Sequence, residues 1–283
     1  MRWEGRRESG NIEDRRGMGM GSVGLPLGGG LGGLVLLLLI SWLTGTNPLD
    51  LISTSSVPQD QSTGTTGVRD NDPQAKFISV VLADTEDTWR DLFRQRGQAY
   101  VPPVLVLFDG ATQSACGVGR SEVGPFYCPT DRKVYLDLSF FRDLDERFGA
   151  PGDFAQAYVV AHEVGHHVQN MLGVAESVAA ARERSDDRQS NALSVRLELQ
   201  ADCFAGVWGH YAATRGELEP GDAEEGLNAA AAIGDDRLQR MARGQVIPET
   251  FTHGSSADRV RWLRRGLDSG TIDSCDTFSS GTH

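Results

Sequence analysis

The stretch Asp153-Phe-Ala-Gln-Ala-Tyr-Val-Val-Ala-His162-Glu163-Val-Gly-His166-His167-Val-Gln-Asn-Met-Leu-Gly173 governs how the rest of the chain is read. Its apolar residues support one helix, Asp153 with Gln156 three residues on forms a capping-box-like start, and Gly173 suits the end. On such a helix His162 and His166 stand one turn apart on the same face and can share one metal ion. Glu163 lies about 100° round the helix and can reach a metal-bound water. The pattern His-Glu-x-x-His is the zinc-peptidase signature. The competing reading makes both histidines ordinary core residues.

A catalytic zinc takes a third protein ligand and keeps a fourth position for water. Downstream, Leu197-Glu198-Leu-Gln-Ala-Asp202-Cys203 falls in a helical run over about 190–215, with Glu198 and Asp202 four apart on one face. Two carboxylates among Val195, Leu197, Ala201, Phe204, Val207 and Trp208 are costly to bury without a cation. Glu198 is therefore assigned to zinc. Asp202 is expected to accept a hydrogen bond from a ligand histidine's free N–H and so orient the ring. His167 points elsewhere on its helix. His210 and Tyr211 read as core or rim, and His283 as a tail residue.

Upstream, Phe77, Val80, Val81, Leu82, Trp89, Leu92 and Phe93 recur at helical spacing to about Arg96, and Gly97 ends the run. Val104–Phe108 reads as a short buried strand ending in Asp109-Gly110, and the alternating segment 133–139 as a second strand. Helical patterns then dominate to Leu267, with a polar tail over 268–283. The expected fold class is α+β: a small sheet followed by helices.

The segment from Gly17 to Leu49 carries no charged side chain, and residues 23–43 are long enough to cross a bilayer. Arg2, Arg6, Arg7, Arg15 and Arg16 precede it, and the next basic residue is Arg69. The positive-inside bias places the N-terminus in the cytoplasm and the rest outside. A cleaved signal peptide competes, but the mixed-charge start and the lack of an Ala-x-Ala-like site weigh against it. The expected organisation is a cytoplasmic segment 1–22, a transmembrane helix 23–43 anchoring the chain to the lipid bilayer of the inner membrane, a flexible linker 44–75 and an outer domain 76–283. Gly28/Gly32 and Gly29/Gly33 would let two such helices approach, giving a homo-oligomer; the alternative is that Gly is common in membrane helices.

In an outer compartment the four cysteines can form disulfides. Cys116 and Cys128 bracket one turn-rich segment and are expected to pair, which leaves Cys203 with Cys275, although four cysteines allow three connectivities. With 27 Lys+Arg against 39 Asp+Glu and a net charge of −12, the chain is a poor match for nucleic acid, which is bound through neutralised phosphates.

Taken together the motifs resemble the bacterial neutral zinc metallopeptidase family, membrane-anchored relatives of the gluzincin-type metallopeptidases. The resemblance rests on Met1-Arg-Trp-Glu-Gly-Arg-Arg-Glu-Ser9, Gly124-Pro-Phe-Tyr-Cys-Pro-Thr-Asp131, the strand segment 134–141, the segments 162–169 and 198–206, and Thr252-His-Gly-Ser-Ser-Ala-Asp-Arg259. It implies a zincin fold with Zn²⁺ on His162, His166 and Glu198 and with Glu163 as base. The spacing of His253 and Arg259 is also similar to a His-Pro-…-Arg element of CAAX-type membrane metallopeptidases, with Gly254 in place of the proline. His253 or Arg259 is accordingly a candidate donor to the transition-state oxyanion. Otherwise His253 merely precedes a helix cap and Arg259 makes a structural ion pair.

The expected activity is hydrolysis of a peptide or protein substrate by a zinc-activated water, with Glu163 as general base and the strand at 133–139 as an edge on which the substrate adds. Three rivals stand beside it: a zinc-dependent, membrane-anchored binding or chaperone-like module; a peptidase autoinhibited by His253 on the metal; and a non-peptidase amidohydrolase.

Overall fold

In the computed structural model, residues 1–17, 65–69 and 71–279 are described. A five-stranded sheet has the order β2-β1-β3-β7-β6: β1 is Ile12–Asp14, β2 Thr65–Thr66, β3 Val104–Phe108, β6 Phe126–Cys128 and β7 Lys133–Asp137. A separate hairpin joins β4 (Ala111–Ser114) to β5 (Gly117–Arg120). Strands β1, β3 and β7 run parallel, while β2 and β6 are antiparallel to their neighbours.

Alternation along β3 divides its side chains between two cores. Leu105 and Leu107 join the main core with Val134 and Leu136, whereas Val106 and Phe108 join Tyr135 and Cys128 on the other face. There Phe126 and Tyr135 stack with centroids 4.8 Å apart, and a Cys116–Cys128 disulfide ties the chain after β4 to the end of β6.

The helices cover the first face. Among the described residues they are α1 (Pro73–Gln95), α2 (Ser139–Glu146), α3 (Asp153–Met171), α4 (Val174–Arg182), α5 (Asp187–Thr214), α6 (Asp222–Ala232), α7 (Asp235–Arg243) and α8 (Ser256–Ser269). Helix α1 begins where Asp72 accepts from the Ala75 N–H with Pro73 in the first turn, and Gly97 (φ 71°) follows its end. Helix α3 is capped by Gly152 rather than Asp153, whose carboxylate lies 2.7 Å from the Met1 ammonium. Two close approaches set the packing. A Cβ on Gly165 would lie 2.9 Å from the Ala201 carbonyl oxygen, and one on Gly266 would lie 2.0 Å from that of Cys203. Glycine there lets α3 and α8 each press directly on the backbone of α5. Cys203 and Cys275 form the second disulfide, so the polar tail is fastened to α5 through the 3₁₀ turn Ile272–Cys275.

The expected single-pass location in the inner membrane is overturned. No helix among the described residues is long and apolar enough to cross a membrane. The expected span 23–43, with its bilayer contact and its Gly28/Gly32 and Gly29/Gly33 pairs, lies outside the described residues, as does most of the expected linker. The described flanks are decisive. Ile12 pairs with Leu105, Glu13 with Val106 and Asp14 with Leu107, so the segment placed in the cytoplasm is a strand of the sheet placed outside. One backbone ladder cannot have its two strands on opposite sides of a bilayer.

Four of the five arginines read as a topology signal pair closely with carboxylates of the fold: Arg6 with Asp84 and Glu217, Arg7 with Glu86 and Asp87, Arg15 with Glu13, Arg16 with Asp14 and Asp72. The domain boundary moves too, since β1, β2 and the Asp72 cap all belong to the fold that was expected to begin at residue 76.

Candidate metal centre

Helix α3 supplies His162, Glu163 and His166, and α5 supplies Glu198 and Asp202. The contact at Gly165 and Ala201 brings these faces together. His162 Nε2 lies 3.2 Å from Glu198 Oε2, and His166 Nε2 lies 3.4 Å from Glu198 Oε1. The ligand atoms of the three residues all lie within 4.8 Å of one another. Ligands at about 2.0–2.2 Å in a tetrahedron stand about 3.3 Å apart, so both nitrogen–oxygen separations suit one zinc ion.

The outer hydrogen bonds select the atoms that face inward. His162 Nδ1 lies 2.8 Å from Asp202 Oδ1, so its proton sits there and Nε2 is left towards Glu198. His166 Nδ1 lies 2.9 Å from Gln169 Oε1. Burial alone would lower the His162 pKa, but the charge and hydrogen bond of Asp202 and the hydrogen bond to Glu198 push it up to about 9. Glu198, although buried, is held well below the usual carboxylate range by His166 and His162.

Glu163 is buried beside them. Burial pushes its carboxyl up, and the positive charges of His166 and His162 act against that rise.

Arg259 departs from the expectation of an oxyanion donor. It is 2% exposed, and Nε and Nη2 donate to Asp202 Oδ2 and Oδ1 at 2.8 and 2.9 Å. Nη2 also donates to the Tyr158 hydroxyl at 3.1 Å, and Nη1 to the Ile233 carbonyl at 3.4 Å. The Tyr158 hydroxyl donates to Asp202 at 2.6 Å. Its guanidinium is thus engaged by Asp202, and together with the His162 hydrogen bond it holds the Asp202 carboxyl down at about 2 despite burial.

His253 is placed differently, with a side chain 54% exposed and Nδ1 3.3 Å from Asp235 Oδ1. The other oxygen of Asp235 accepts from the backbone N–H groups of Thr252, His253 and Gly254 at 2.7, 2.6 and 3.0 Å. Gly254 (φ 93°) packs its turn against Leu199 and Val195, beside Glu198. A proline at 254 would remove one of those N–H groups, which accounts for glycine where the similar element has proline. The hydrogen bond to Asp235, opposed by burial, raises the His253 pKa, and the nearby charge of Glu198 adds to the rise.

His167 braces the site from behind. Its Nε2 lies 2.7 Å from the Val101 carbonyl and its Nδ1 3.0 Å from the Tyr127 hydroxyl, which joins α3 to β6. Burial drives its pKa down to about 4, which keeps the ring neutral. Strand β7 is flanked by β3 and β6, so it is not an edge; β6 is. His210 Nδ1 bonds the Leu267 carbonyl, Tyr211 packs against the core, and His283 lies outside the described residues.

Sequence reasoning missed Tyr158, Gln169 and Asp235. The first two could have been found, since Tyr158 is four residues before His162 and Gln169 three after His166, on the faces they serve. Nothing local marks Asp235.

The family model described as "Putative neutral zinc metallopeptidase" matches residues 1–278. The chain is 52% identical to the uncharacterized protein YpfJ of Escherichia coli K12 over 98% of this chain and 99% of that one. It is 43% identical to the uncharacterized proteins Mb2605 of Mycobacterium bovis and Rv2575 of Mycobacterium tuberculosis over 72% of each chain. No solved structure matches. The chain belongs to the neutral zinc metallopeptidase family that this model describes.

Proposed function

We propose that this family member hydrolyses peptide bonds with one zinc ion on His162, His166 and Glu198. The observation that carries the reading is the convergence of two histidine Nε2 atoms on Glu198 at 3.2 and 3.4 Å, with Glu163 buried alongside. A closed structural site has no use for that carboxylate. Zinc bound there would polarise the scissile carbonyl and bring the pKa of a water down towards about 7.

In this mechanism Glu163 takes the proton of the attacking water and delivers it to the leaving nitrogen. Burial suits it to the first of these, because a carboxylate whose pKa is raised takes up a proton more readily than it would in water. His253, held by Asp235 and exposed beside Glu198, donates to the developing oxyanion. Arg259 and Tyr158 take no part in proton transfer; they keep Asp202 in place so that His162 presents Nε2. An extended substrate would pair with β6, whose open edge is joined to the active helix through Tyr127 and His167.

The test is digestion of a peptide library by the full chain and by Glu163→Gln at equal zinc content. Products from wild type alone, abolished by a chelator, support the reading. Equal silence from two zinc-loaded proteins would turn attention to a binding module, and cleavage of non-peptide amides alone to an amidohydrolase.

A further inference from the structure

We propose that Gln169 and Gln200 are positioning residues that fix the His166 ring for the metal and make its setting depend on the Cys203–Cys275 bond. The inference rests on the metal reading above and concerns how that site is held.

Both side chains are buried, Gln169 at 0% and Gln200 at 6% exposure. Gln169 Nε2 donates to the Leu197 carbonyl at 2.6 Å and to Gln200 Oε1 at 3.2 Å. Gln200 Nε2 donates to the Cys275 carbonyl at 3.0 Å. The two ends of this chain of bonds are backbone carbonyls, which only accept. Each amide can therefore be inserted one way round, with its nitrogen towards a carbonyl. Gln169 Oε1 is left facing His166 Nδ1 at 2.9 Å, so Nδ1 must carry the proton and Nε2 the lone pair. The tautomer needed to bind a metal through Nε2 is thus dictated by two carbonyl groups.

Those carbonyls are anchored on the ligand helix. Leu197 immediately precedes Glu198 on α5. Cys275 is bonded to Cys203, the residue after Asp202, and the Thr277 hydroxyl donates to the Arg196 carbonyl at 2.7 Å. The C-terminal turn is therefore fastened on both sides of Glu198, and the same disulfide stands beside the carboxylate that orients His162. A bond between residues 72 apart in sequence holds the far end of the support for His166.

The test uses the zinc-loaded full chain, with zinc release timed by a chromogenic chelator and the visible spectrum recorded after replacement of zinc by cobalt(II). Gln169→Met fills the space without an amide. It is expected to release zinc about 10–100-fold faster, the usual loss when such a partner of a ligand histidine is removed, and to shift the cobalt bands. Gln169→Glu keeps an acceptor for Nδ1–H but sets its second oxygen against the Leu197 carbonyl, which only accepts, and so restores slow release only in part. Gln200→Met and the paired Cys203→Ala/Cys275→Ala change also speed release, and their combination is no faster than the faster of the two.

Wild-type release rates and spectra in Gln169→Met would overturn the proposal, as would independent, multiplying effects of Gln200→Met and the cysteine pair. Should Gln169→Met not fold, Gln200→Met carries the same prediction and the same refutation. A wild-type chain that binds no zinc would instead sink the metal reading itself.

Discussion

Asp202 bears directly on the ring of His162: its Oδ1 lies 2.8 Å from Nδ1 and leaves Nε2 turned towards Glu198. The carboxylate is fully buried, and it can be so because Arg259 neutralises it through both of its oxygens. A structural ion pair and a proposed metal ligand are thus two ends of one hydrogen-bonded unit.

Arg259→Leu should therefore act on stability before catalysis. It strands the buried charge of Asp202, at a cost of about 3–5 kcal/mol. Denaturant unfolding of the metal-free protein is expected to show that loss. A variant with wild-type stability and low activity would return Arg259 to the role of substrate donor. Arg259→Lys should not rescue, because a single ammonium cannot supply the donors aimed at both carboxylate oxygens, Tyr158 and Ile233.

The pH profile should report the pair Asp235 and His253. Donation to the oxyanion requires protonated His253, so activity falls on the alkaline side as that ring loses its proton. Asp235 raises the ring's pKa. Removing its charge in Asp235→Asn lowers that pKa, and the alkaline limb of kcat/KM should move to lower pH while the acid limb stays in place. An unmoved alkaline limb would remove His253 from the mechanism.

The two disulfides should differ in what they contribute. Closing 72 residues removes more chain entropy from the unfolded state than closing 12. The loop-entropy relation gives about 4 kcal/mol for Cys203–Cys275 and about 3 kcal/mol for Cys116–Cys128. Unfolding of the two paired-alanine variants would check the order, and the reverse order would indicate that local packing outweighs loop length.

A chain beginning at residue 76 should not fold. It lacks β1, which pairs with β3 on the side away from β7, and the Asp72 cap of α1. Circular dichroism and size-exclusion chromatography of that truncation should show an unfolded or aggregated product. A cooperative, monomeric one would mean that β1 is dispensable.

Much of the site could be read along the chain because its pieces are local. Periodicity places His162 and His166 on one face, and four-residue spacing aligns Glu198 with Asp202. The same reasoning misled at the N-terminus, where an arginine cluster before an apolar run carries a topology signal only if the arginines are free. The partners of Arg6 and Arg7, namely Asp84, Glu86, Asp87 and Glu217, lie 78 to 211 residues away, and no local window contains both sides.

The sequence by itself determined the α+β class, the helix that carries His-Glu-x-x-His and the carboxylates that meet it, since each follows from the chain's own period and from the cost of burying charge. Only the tertiary structure decided that residues 12–14 join the sheet, that β6 rather than β7 is an edge of it, that Arg259 holds Asp202, and that Asp235 holds His253. Each of those depends on which distant backbone or side-chain group arrives as a partner, and hydrogen bonds and ion pairs act at about 3 Å in space whatever the separation along the chain.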